Sequence, residues 1–174
     1  MFKAPAHLTT RRLTLRKPVM SDAAAAFAWA SDDEVTRYMG WPRHRTIEDT
    51  QRFLTFATRE WVDHGVGTFI VEHAGRAIGS TGFHVLGRHR AMTGYILRRD
   101  AWGQGFATEA CRAMVELGRS LGLARLEAQC HVAHLASARV LEKAGLEFEG
   151  VLRRYLSFPN LDGAPGDVRS YSAV

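Results

Sequence analysis

A pair of glycines stands directly before the clearest amphipathic helix in the sequence. The helix is predicted from Gly105 to Leu121 and ends before Gly122, and its apolar face is made by Phe106, Ala110, Met114, Leu117 and Leu121. Because Gly103 and Gly105 carry no Cβ, backbone N–H groups in this loop can approach a ligand closely. The same groups lie at a helix N-terminus, where the helix dipole favours an anion. The segment predicts a pyrophosphate-binding loop, although a lone glycine pair also occurs in ordinary turns.

Hydrophobic spacing and turn residues predict the other elements. Two helices are expected before the glycine pair: one starts at Ser21 or Asp22 and runs to Ala30, and the other starts at the capping pair Thr46 and Asp49 and ends at Gly65. A later helix is expected at Leu135–Ala144, and the predicted strands are Arg11–Arg16, Thr68–Glu72, Ala77–Val85, Met92–Leu97, Leu126–Val132, Glu147–Tyr155 and Val168–Ala173. A mostly antiparallel front followed by a strand–helix–strand–helix order predicts a mixed α/β domain.

Length and composition are those of a globular protein. At 174 residues, with 46% hydrophobic and 24% charged residues, the chain is long enough to bury a core and too apolar for disorder. We expect one domain over residues 1–174. No apolar run approaches the roughly 18 to 20 residues that a membrane helix needs, and the start lacks the apolar core of a secretory leader. A cytoplasmic protein with no membrane partner is therefore expected.

The net charge of +5 is carried mainly by arginine. A solvated basic surface would explain this excess, and so would a polyanionic ligand, either nucleic acid or a phosphate-bearing cofactor. The basic residues are scattered through all predicted elements, which argues against a nucleic-acid-binding module. Neither the cysteines Cys111 and Cys130 nor the histidines His131 and His134 have a metal-binding spacing, so we expect buried thiols and no metal site.

Two other kinds of phosphate-binding loop fit the sequence poorly. The chain has no GxxxxGKS or GxxxxGKT motif, which argues against a P-loop nucleotide hydrolase. The run from Gly103 to Thr108 imitates a dinucleotide-binding loop, with Glu127 as the acidic residue that follows at a distance. However, the third glycine is missing, and the loop does not start directly at the end of the strand that closes with Leu97. A dinucleotide site is therefore disfavoured.

Two ordered motifs resemble the GNAT family of N-acetyltransferases. Ala101–Ala110 reads AWGQGFATEA and is similar to the family's acetyl-CoA-binding motif in the form found in the RimJ/RimL branch, which comprises ribosomal-protein N-acetyltransferases. Trp102 stands where the general (Q/R)xxGx(G/A) pattern has Gln or Arg, a departure usual for that branch. Ser137–Leu146 reads SARVLEKAGL and resembles the branch's C-terminal motif, and TRRLTLR at Thr10–Arg16 fits the same branch. The resemblance spans nearly the whole chain.

This resemblance implies a fold, a cosubstrate and a set of binding residues. The fold would be a single GNAT-type α/β domain with a central, mostly antiparallel sheet and helices on both faces. Acetyl-CoA would be the cosubstrate, and an amine such as a peptide N-terminus, a polyamine or another small amine would be the acceptor. The positions that match the family's cofactor-binding segments are Ile96, Leu97, Arg98, Arg99, Trp102, Gly103, Gln104, Gly105, Phe106, Ala107, Thr108, His134, Ser137 and Lys143.

The family mechanism implied by the resemblance is direct attack of the amine on the thioester with both substrates bound. Free N–H groups of the strand Gly94–Leu97 would polarise the thioester carbonyl. Ser137 is the candidate proton donor to the leaving thiolate, although a serine that satisfies a helix end is an equal alternative. The amine needs a base, for which Glu127 is the candidate and His84 another possibility, because glutamine at position 129 cannot accept a proton usefully.

Trp41 and His84 are the candidate acceptor-binding residues, with selectivity expected in segments 32–46 and 157–167. His134 replaces the usual Asn, which caps the helix and bonds the pantetheine arm of the cofactor; histidine caps poorly. A sensor that binds acetyl-CoA without catalysis is an alternative function, and a homodimer is common in the branch.

Overall fold

Eight strands form one sheet in the computed structural model, which describes residues 1–174. In chain order the strands are β1 (His7–Thr9), β2 (Leu13–Arg16), β3 (Thr68–His73), β4 (Arg76–Gly87), β5 (Arg90–Leu97), β6 (Arg125–His131), β7 (Glu147–Ser157) and β8 (Pro165–Ala173). Their order across the sheet is β1-β2-β3-β4-β5-β6-β8-β7, and every neighbouring pair is antiparallel except β5 with β6. The predicted α/β fold with a mostly antiparallel sheet is confirmed.

Five α-helices connect the strands: α1 (Ala23–Ala30), α2 (Asp33–Thr36), α3 (Ile47–His64), α4 (Phe106–Ser120) and α5 (Leu135–Ala144). The start of α3 is fixed by the predicted pair, because the backbone N–H of Thr46 donates to Asp49 at 2.9 Å. Its end is fixed by Gly65, which has a φ of 73°. No helix is both long enough and apolar enough to cross a bilayer.

Two short elements were not expected from the sequence. β1 has three residues and pairs with β2 at the sheet edge, so it offers no alternating pattern to detect. α2 is a single turn whose N-terminal amides are bonded by the carboxylate of Asp32. The predicted hairpin between β3 and β4 is confirmed, and its turn residues Ala74 and Gly75 both have positive φ.

Helices cover both faces of the sheet. On one face, Trp29 of α1 packs with Ile70 and Ile96 from the strands. On the other face, Phe83 and Met114 belong to the larger core that surrounds α4. Strand side chains alternate between faces, so within β4 Phe83 belongs to the core around α4, whereas the next residue, His84, contacts Glu60 of α3 on the other face.

The feature that positions the site is the short contact between β5 and β6. These parallel strands pair only where Arg90–Met92 meets Arg125–Glu127. From Thr93 onward the two strands part, so the N–H groups on that edge of β5 have no strand partner. The N–H groups that the family mechanism requires on Gly94–Leu97 therefore lie along an edge without a neighbouring strand.

Candidate active site

A cleft of about 1120 Å³ passes through the sheet where β5 and β6 part. One end is lined by the glycine loop before α4 and by the first two turns of α5. The other end is lined by the segment between α2 and α3 and by α3 itself. The middle is formed by the backbone of β4 and β5 around Gly82 and Gly94, which are opposite each other in the strand pairing. The cleft thus connects two binding regions through the gap in the sheet.

The glycine loop has the geometry expected of a phosphate-binding turn. Gly103 and Gly105 have φ values of 74° and 78°, a left-handed conformation that side chains rarely adopt. A Cβ built on Gly103 meets no protein atom within 4 Å, so the loop faces open space in the cleft. Gly105 provides no side-chain cap, which leaves the first N–H groups of α4, those of Phe106, Ala107 and Thr108, available for a ligand. This arrangement fits the pyrophosphate of a coenzyme.

The glycine loop is held in place by Arg12, which was not predicted as a site residue, and by Trp102, which was. Arg12, in the turn before β2, donates from Nε to Glu109 at 2.7 Å and from Nη1 to the carbonyl of Gln104 at 2.9 Å. Its guanidinium carbon lies 4.6 Å from the centroid of the Phe106 ring. Trp102 closes the loop from the other side, with Nε1 donating to the carbonyl of Leu97 at 2.9 Å. The loop is therefore fixed before any ligand arrives.

Three predicted cofactor residues are engaged elsewhere. Arg98 bonds Asp100 at 3.1 Å, and Arg99 bonds Glu34 of α2 at 2.6 Å. The side chain of Gln104 donates to the carbonyl of Asp100 at 3.0 Å. None of the three lines the cleft, because each is drawn to an acidic or carbonyl group beside the loop. Arg98, Arg99 and Gln104, which match the family's cofactor-binding segments, are therefore not placed against the cleft in this structure.

Positive charge at this end comes from α5 instead. Lys143, predicted from the sequence, and Arg139, which was not, are four residues apart and so project from the same side of α5. Both line the cleft, and neither forms a salt bridge within the protein. They are available to a phosphate group. The remaining predicted positions Ile96, Leu97, Trp102, Gly103, Gly105, Phe106, Ala107, Thr108, His134 and Ser137 also line the cleft.

Ser137 has a partner that sequence reasoning missed. The hydroxyl of Tyr95, on β5, donates to Ser137 Oγ at 3.0 Å, which leaves the serine proton free to be donated onward. Burial raises the pKa of Tyr95, so the phenol stays protonated at neutral pH. Cys130 lies beside them; its free thiol is buried, and burial raises its pKa. The site therefore contains a neutral hydroxyl pair and no thiolate.

His134 occupies the N-cap position of α5 but makes no side-chain cap bond. Its ring stacks on Tyr38, with centroids 4.9 Å apart, and Tyr38 also stacks on His131 at 5.0 Å. Burial lowers the pKa of His134, and the neighbouring His131 lowers it further. A neutral imidazole is therefore presented to the cleft while the helix end remains uncapped. The two histidines are joined by an aromatic stack.

Glu127 lies outside the cleft and between two arginines. Its carboxylate accepts from Arg90 at 2.9 Å and from Arg125 at 2.8 Å. It lines a separate surface pocket of about 470 Å³ that contains these arginines. It does not line the cleft, so it has no access to an acceptor bound there. The prediction of Glu127 as the base is therefore corrected. The arginine on β5 could not be paired with it from sequence spacing.

Trp41 and its surroundings line the end of the cleft opposite the glycine loop. Trp41 lines the cleft, packs against the core that surrounds α1 and lies 5.2 Å from the His44 ring. Asn160 fixes this segment from the 157–167 loop: its amide donates to the carbonyls of Thr36 and Trp41 at 2.8 and 2.9 Å and accepts from the N–H of Arg43 at 2.8 Å. The two segments expected to carry acceptor selectivity are thus tied together by one side chain.

His84 also lines this end of the cleft. Its Nδ1 lies 2.8 Å from Oε1 of Glu60, on α3. That hydrogen bond and the charge of Glu60 raise the pKa of His84, while burial opposes the rise. Sequence reasoning selected the histidine but gave no indication of its partner, because the two residues belong to different elements.

Comparisons with known proteins agree with this geometry. The family model described as "Acetyltransferase (GNAT) domain" matches residues 12–147. An uncharacterized N-acetyltransferase of Bacillus subtilis, YoaA, is 40% identical over 172 residues, which covers 96% of each chain.

Solved structures show the same fold. An acetyltransferase of the GNAT family from Bacillus anthracis has a TM-score of 0.83 at 27% identity and covers 97% of this chain and 98% of its own. The microcin C7 self-immunity acetyltransferase MccE, solved with acetyl-CoA and AMP, has a TM-score of 0.86 at 22% identity over 98% of this chain and 97% of its own. At that identity the likeness to MccE is one of fold.

These matches confirm that segments 101–110 and 137–146 were correctly assigned to the GNAT family. Both the glycine loop at a helix N-terminus and the parted strands fit the binding of acetyl-CoA. The family model that matches the chain is that of an acetyltransferase. The chain belongs to the GNAT family of acetyltransferases, and it is an acyltransferase that takes its acetyl group from acetyl-CoA.

Proposed function

We propose that this acetyltransferase transfers the acetyl group to a primary amine by direct attack, with both substrates bound, as a member of the RimJ/RimL-like branch. The observation that carries the proposal is the cleft through the sheet, which joins the glycine loop to the Trp41 end at the point where β5 and β6 part. A donor and an acceptor that enter from opposite ends meet in that gap. No covalent acyl-enzyme is needed.

The coenzyme occupies the end lined by the glycine loop and α5. Its pyrophosphate lies on the amides at the start of α4, and Lys143 and Arg139 contribute positive charge. The free N–H groups of β5 beyond Met92 hold the thioester carbonyl and stabilise the negative charge that develops on its oxygen. MccE, which shares this fold, was solved in complex with acetyl-CoA, which supports acetyl-CoA as the donor.

Ser137 gives its proton to the departing sulfur, and Tyr95 supports it. The tyrosine hydroxyl donates to Ser137 Oγ at 3.0 Å, which orients the serine proton away from Tyr95. As the serine loses its proton, the tyrosine bond stabilises the charge on the serine oxygen and can pass a proton along. The pair therefore serves as the acid for the leaving thiolate.

The amine enters at the other end, along Trp41 and the segment fixed by Asn160. This surface mixes aromatic rings with polar groups and suits the terminal amine of a peptide or of a small molecule, such as a polyamine. The RimJ/RimL-like motifs favour peptide N-termini as the first group to test.

The direct experiment is release of CoA thiol from acetyl-CoA in the presence of a panel of peptides, polyamines and amino-acid-like amines. The proposal expects thiol release that depends on one class of amine and is matched by acetylated amine in the mass spectrum. Tight acetyl-CoA binding without release over the whole panel would instead identify a sensor. Binding to nucleic acid with no affinity for CoA would contradict the proposal altogether.

A further inference from the structure

A second polar pair lies on the face of the sheet that Ser137 does not occupy. His84 of β4 contacts Glu60 of α3, with 2.8 Å between Nδ1 and Oε1. The Glu60 side chain is only 9% exposed, whereas the His84 side chain is 53% exposed and lines the cleft. The carboxylate is therefore withdrawn into the protein, and the imidazole faces the space where an acceptor enters.

The hydrogen bond sets the tautomer of His84. A carboxylate accepts a hydrogen bond, so Nδ1 carries the proton and Nε2 keeps its lone pair. Nε2 makes no hydrogen bond to any protein atom, and the second oxygen of Glu60, Oε2, is buried without a partner. A buried carboxylate with an unpartnered oxygen is costly, and the cost falls when a neighbouring group becomes positively charged. This pair is therefore suited to a histidine that gains a proton.

The strand register places His84 beside the gap in the sheet. Its partner across β4 and β5 is Met92, the last residue of β5 that pairs with β6. Adjacent strands are about 4.8 Å apart, so His84 lies one strand from the point where the cleft opens. Tyr95 is three residues beyond Met92 and so faces the opposite side. An amine that enters from the α3 side would contact His84 on one face of the sheet, whereas Ser137 lies on the other face.

Few other charges face His84. From α3 the nearest ring is that of Phe56, 6.2 Å away, which is uncharged. Across the sheet Met92 is apolar, and the next charged side chains in that row, Arg90 and Glu127, are bonded to each other. Glu60 alone provides the hydrogen bond and the charge that raise the pKa of the imidazole, while burial opposes them. The basicity of His84 is therefore set by one residue.

We propose that His84 is the general base that deprotonates the acceptor amine and that Glu60 is the residue that positions it, an inference that rests on the proposed acetyl transfer. Nε2 takes one proton from the incoming ammonium group and later releases it to solvent. The neutral nitrogen then forms the bond to the acetyl carbon as the carbon–sulfur bond breaks. The nitrogen loses its second proton to solvent, and the sulfur takes the proton of Ser137, which is replaced from solvent.

The test is the pH dependence of kcat/KM for the amine, with a good acceptor from the panel and saturating acetyl-CoA. His84→Gln should lower kcat/KM by about 10²-fold or more and remove the limb of the profile that rises with deprotonation of the histidine. Glu60→Gln keeps a hydrogen-bonding group of the same size but removes the charge, so the midpoint of that limb should move to lower pH. A residue with only a structural role would not move the midpoint.

The matched control is His89→Gln, since His89 is an exposed histidine that does not line the cleft. It should leave the profile unchanged, and the dissociation constant for acetyl-CoA should be unaltered in all three variants. If His84→Gln retains the profile and kcat/KM of the natural protein, the inference is wrong while the proposed function stands. If Glu60→Gln leaves the midpoint in place, its positioning role is refuted. If the natural protein acetylates no amine, the proposed function itself fails.

Discussion

The hydroxyl of Tyr95 donates to Ser137 Oγ across 3.0 Å, and the two residues lie on opposite sides of the gap between β5 and β6. One residue is on β5, and the other is on α5, which follows β6. Their contact therefore bridges the gap that the thioester must occupy. In the proposed mechanism, a proton donor at that point serves the departing sulfur.

Ser137→Ala should lower kcat by about 10²-fold or less while leaving acetyl-CoA affinity nearly intact, because a CoA thiolate is already a fair leaving group and gains little from a general acid. Tyr95→Phe should have a similar but smaller effect. The double variant should be no worse than Ser137→Ala, since the two residues act as one unit. Steady-state kinetics check this, with Ser120→Ala as the control outside the cleft. If Ser137→Ala keeps full kcat under conditions in which the chemical step limits the rate, the serine only satisfies the end of the helix and is not the proton donor.

Gly103→Ala should weaken acetyl-CoA binding, because a methyl group would stand in the open face of the phosphate loop. Gly122→Ala is a matched control: Gly122 has a φ of 73°, close to the 74° of Gly103, and its Cβ also meets nothing within 4 Å. Both variants should lose about 1 kcal/mol of stability from the left-handed backbone. Only Gly103→Ala should raise the dissociation constant of acetyl-CoA in calorimetry. Equal affinities of the two variants for acetyl-CoA would show that the pyrophosphate does not bind at this loop.

Asn160→Ala should impair the acceptor end alone. The amide makes three hydrogen bonds to the segment that carries Trp41, and their loss frees that segment to move. We expect kcat/KM for the amine to fall by about tenfold, since misplaced substrate-positioning groups cost rate at a distance. Acetyl-CoA affinity should stay unchanged. Asp162→Ala, which removes a side-chain bond to Ala164 in the same loop, should leave both constants as they were.

His134→Asn should retain or tighten acetyl-CoA binding, because asparagine caps a helix well and the histidine makes no cap bond. It should also change the dependence of stability on pH. Burial lowers the pKa of His134 in the folded protein, so below the ordinary histidine value near 6.5 the unfolded chain binds more protons. That difference destabilises the natural protein as the pH falls. Denaturant unfolding at pH 5 and pH 8 should therefore show that His134→Asn loses less of its free energy of unfolding at acid pH than the natural protein does. An identical loss in the two proteins would contradict a lowered pKa for His134 in the folded state.

The fold could be predicted because its strands and helices carry strong local patterns. The apolar repeat of α4, the capping pair of α3 and the hairpin turn at Ala74 and Gly75 are all short-range features that the sequence displays directly. The elements that escaped prediction, β1 and α2, are too short to show a repeat. Their formation depends on neighbours that are distant in the chain.

The candidate site could be predicted only in part, for the same physical reason. The glycine loop is a local backbone feature that the sequence displays directly, and Gly103 and Gly105 both line the cleft. The partners Tyr95 and Glu60 were missed, because their contacts with Ser137 and His84 join separate elements. Glu127 was named as the candidate base, but it lies outside the cleft and is paired with Arg125 and with Arg90 of the neighbouring strand. Charge pairing between strands cannot be read from alternation alone.

Direct transfer requires a complex that holds both substrates, and the initial-velocity pattern shows whether such a complex forms. Acetyl-CoA and the best amine of the panel are varied together, and reciprocal rates are plotted against reciprocal amine concentration. Attack on the thioester inside the cleft predicts lines that intersect, because both substrates must be bound before product forms. Parallel lines, the mark of a ping-pong reaction through an acetylated enzyme, would contradict the account.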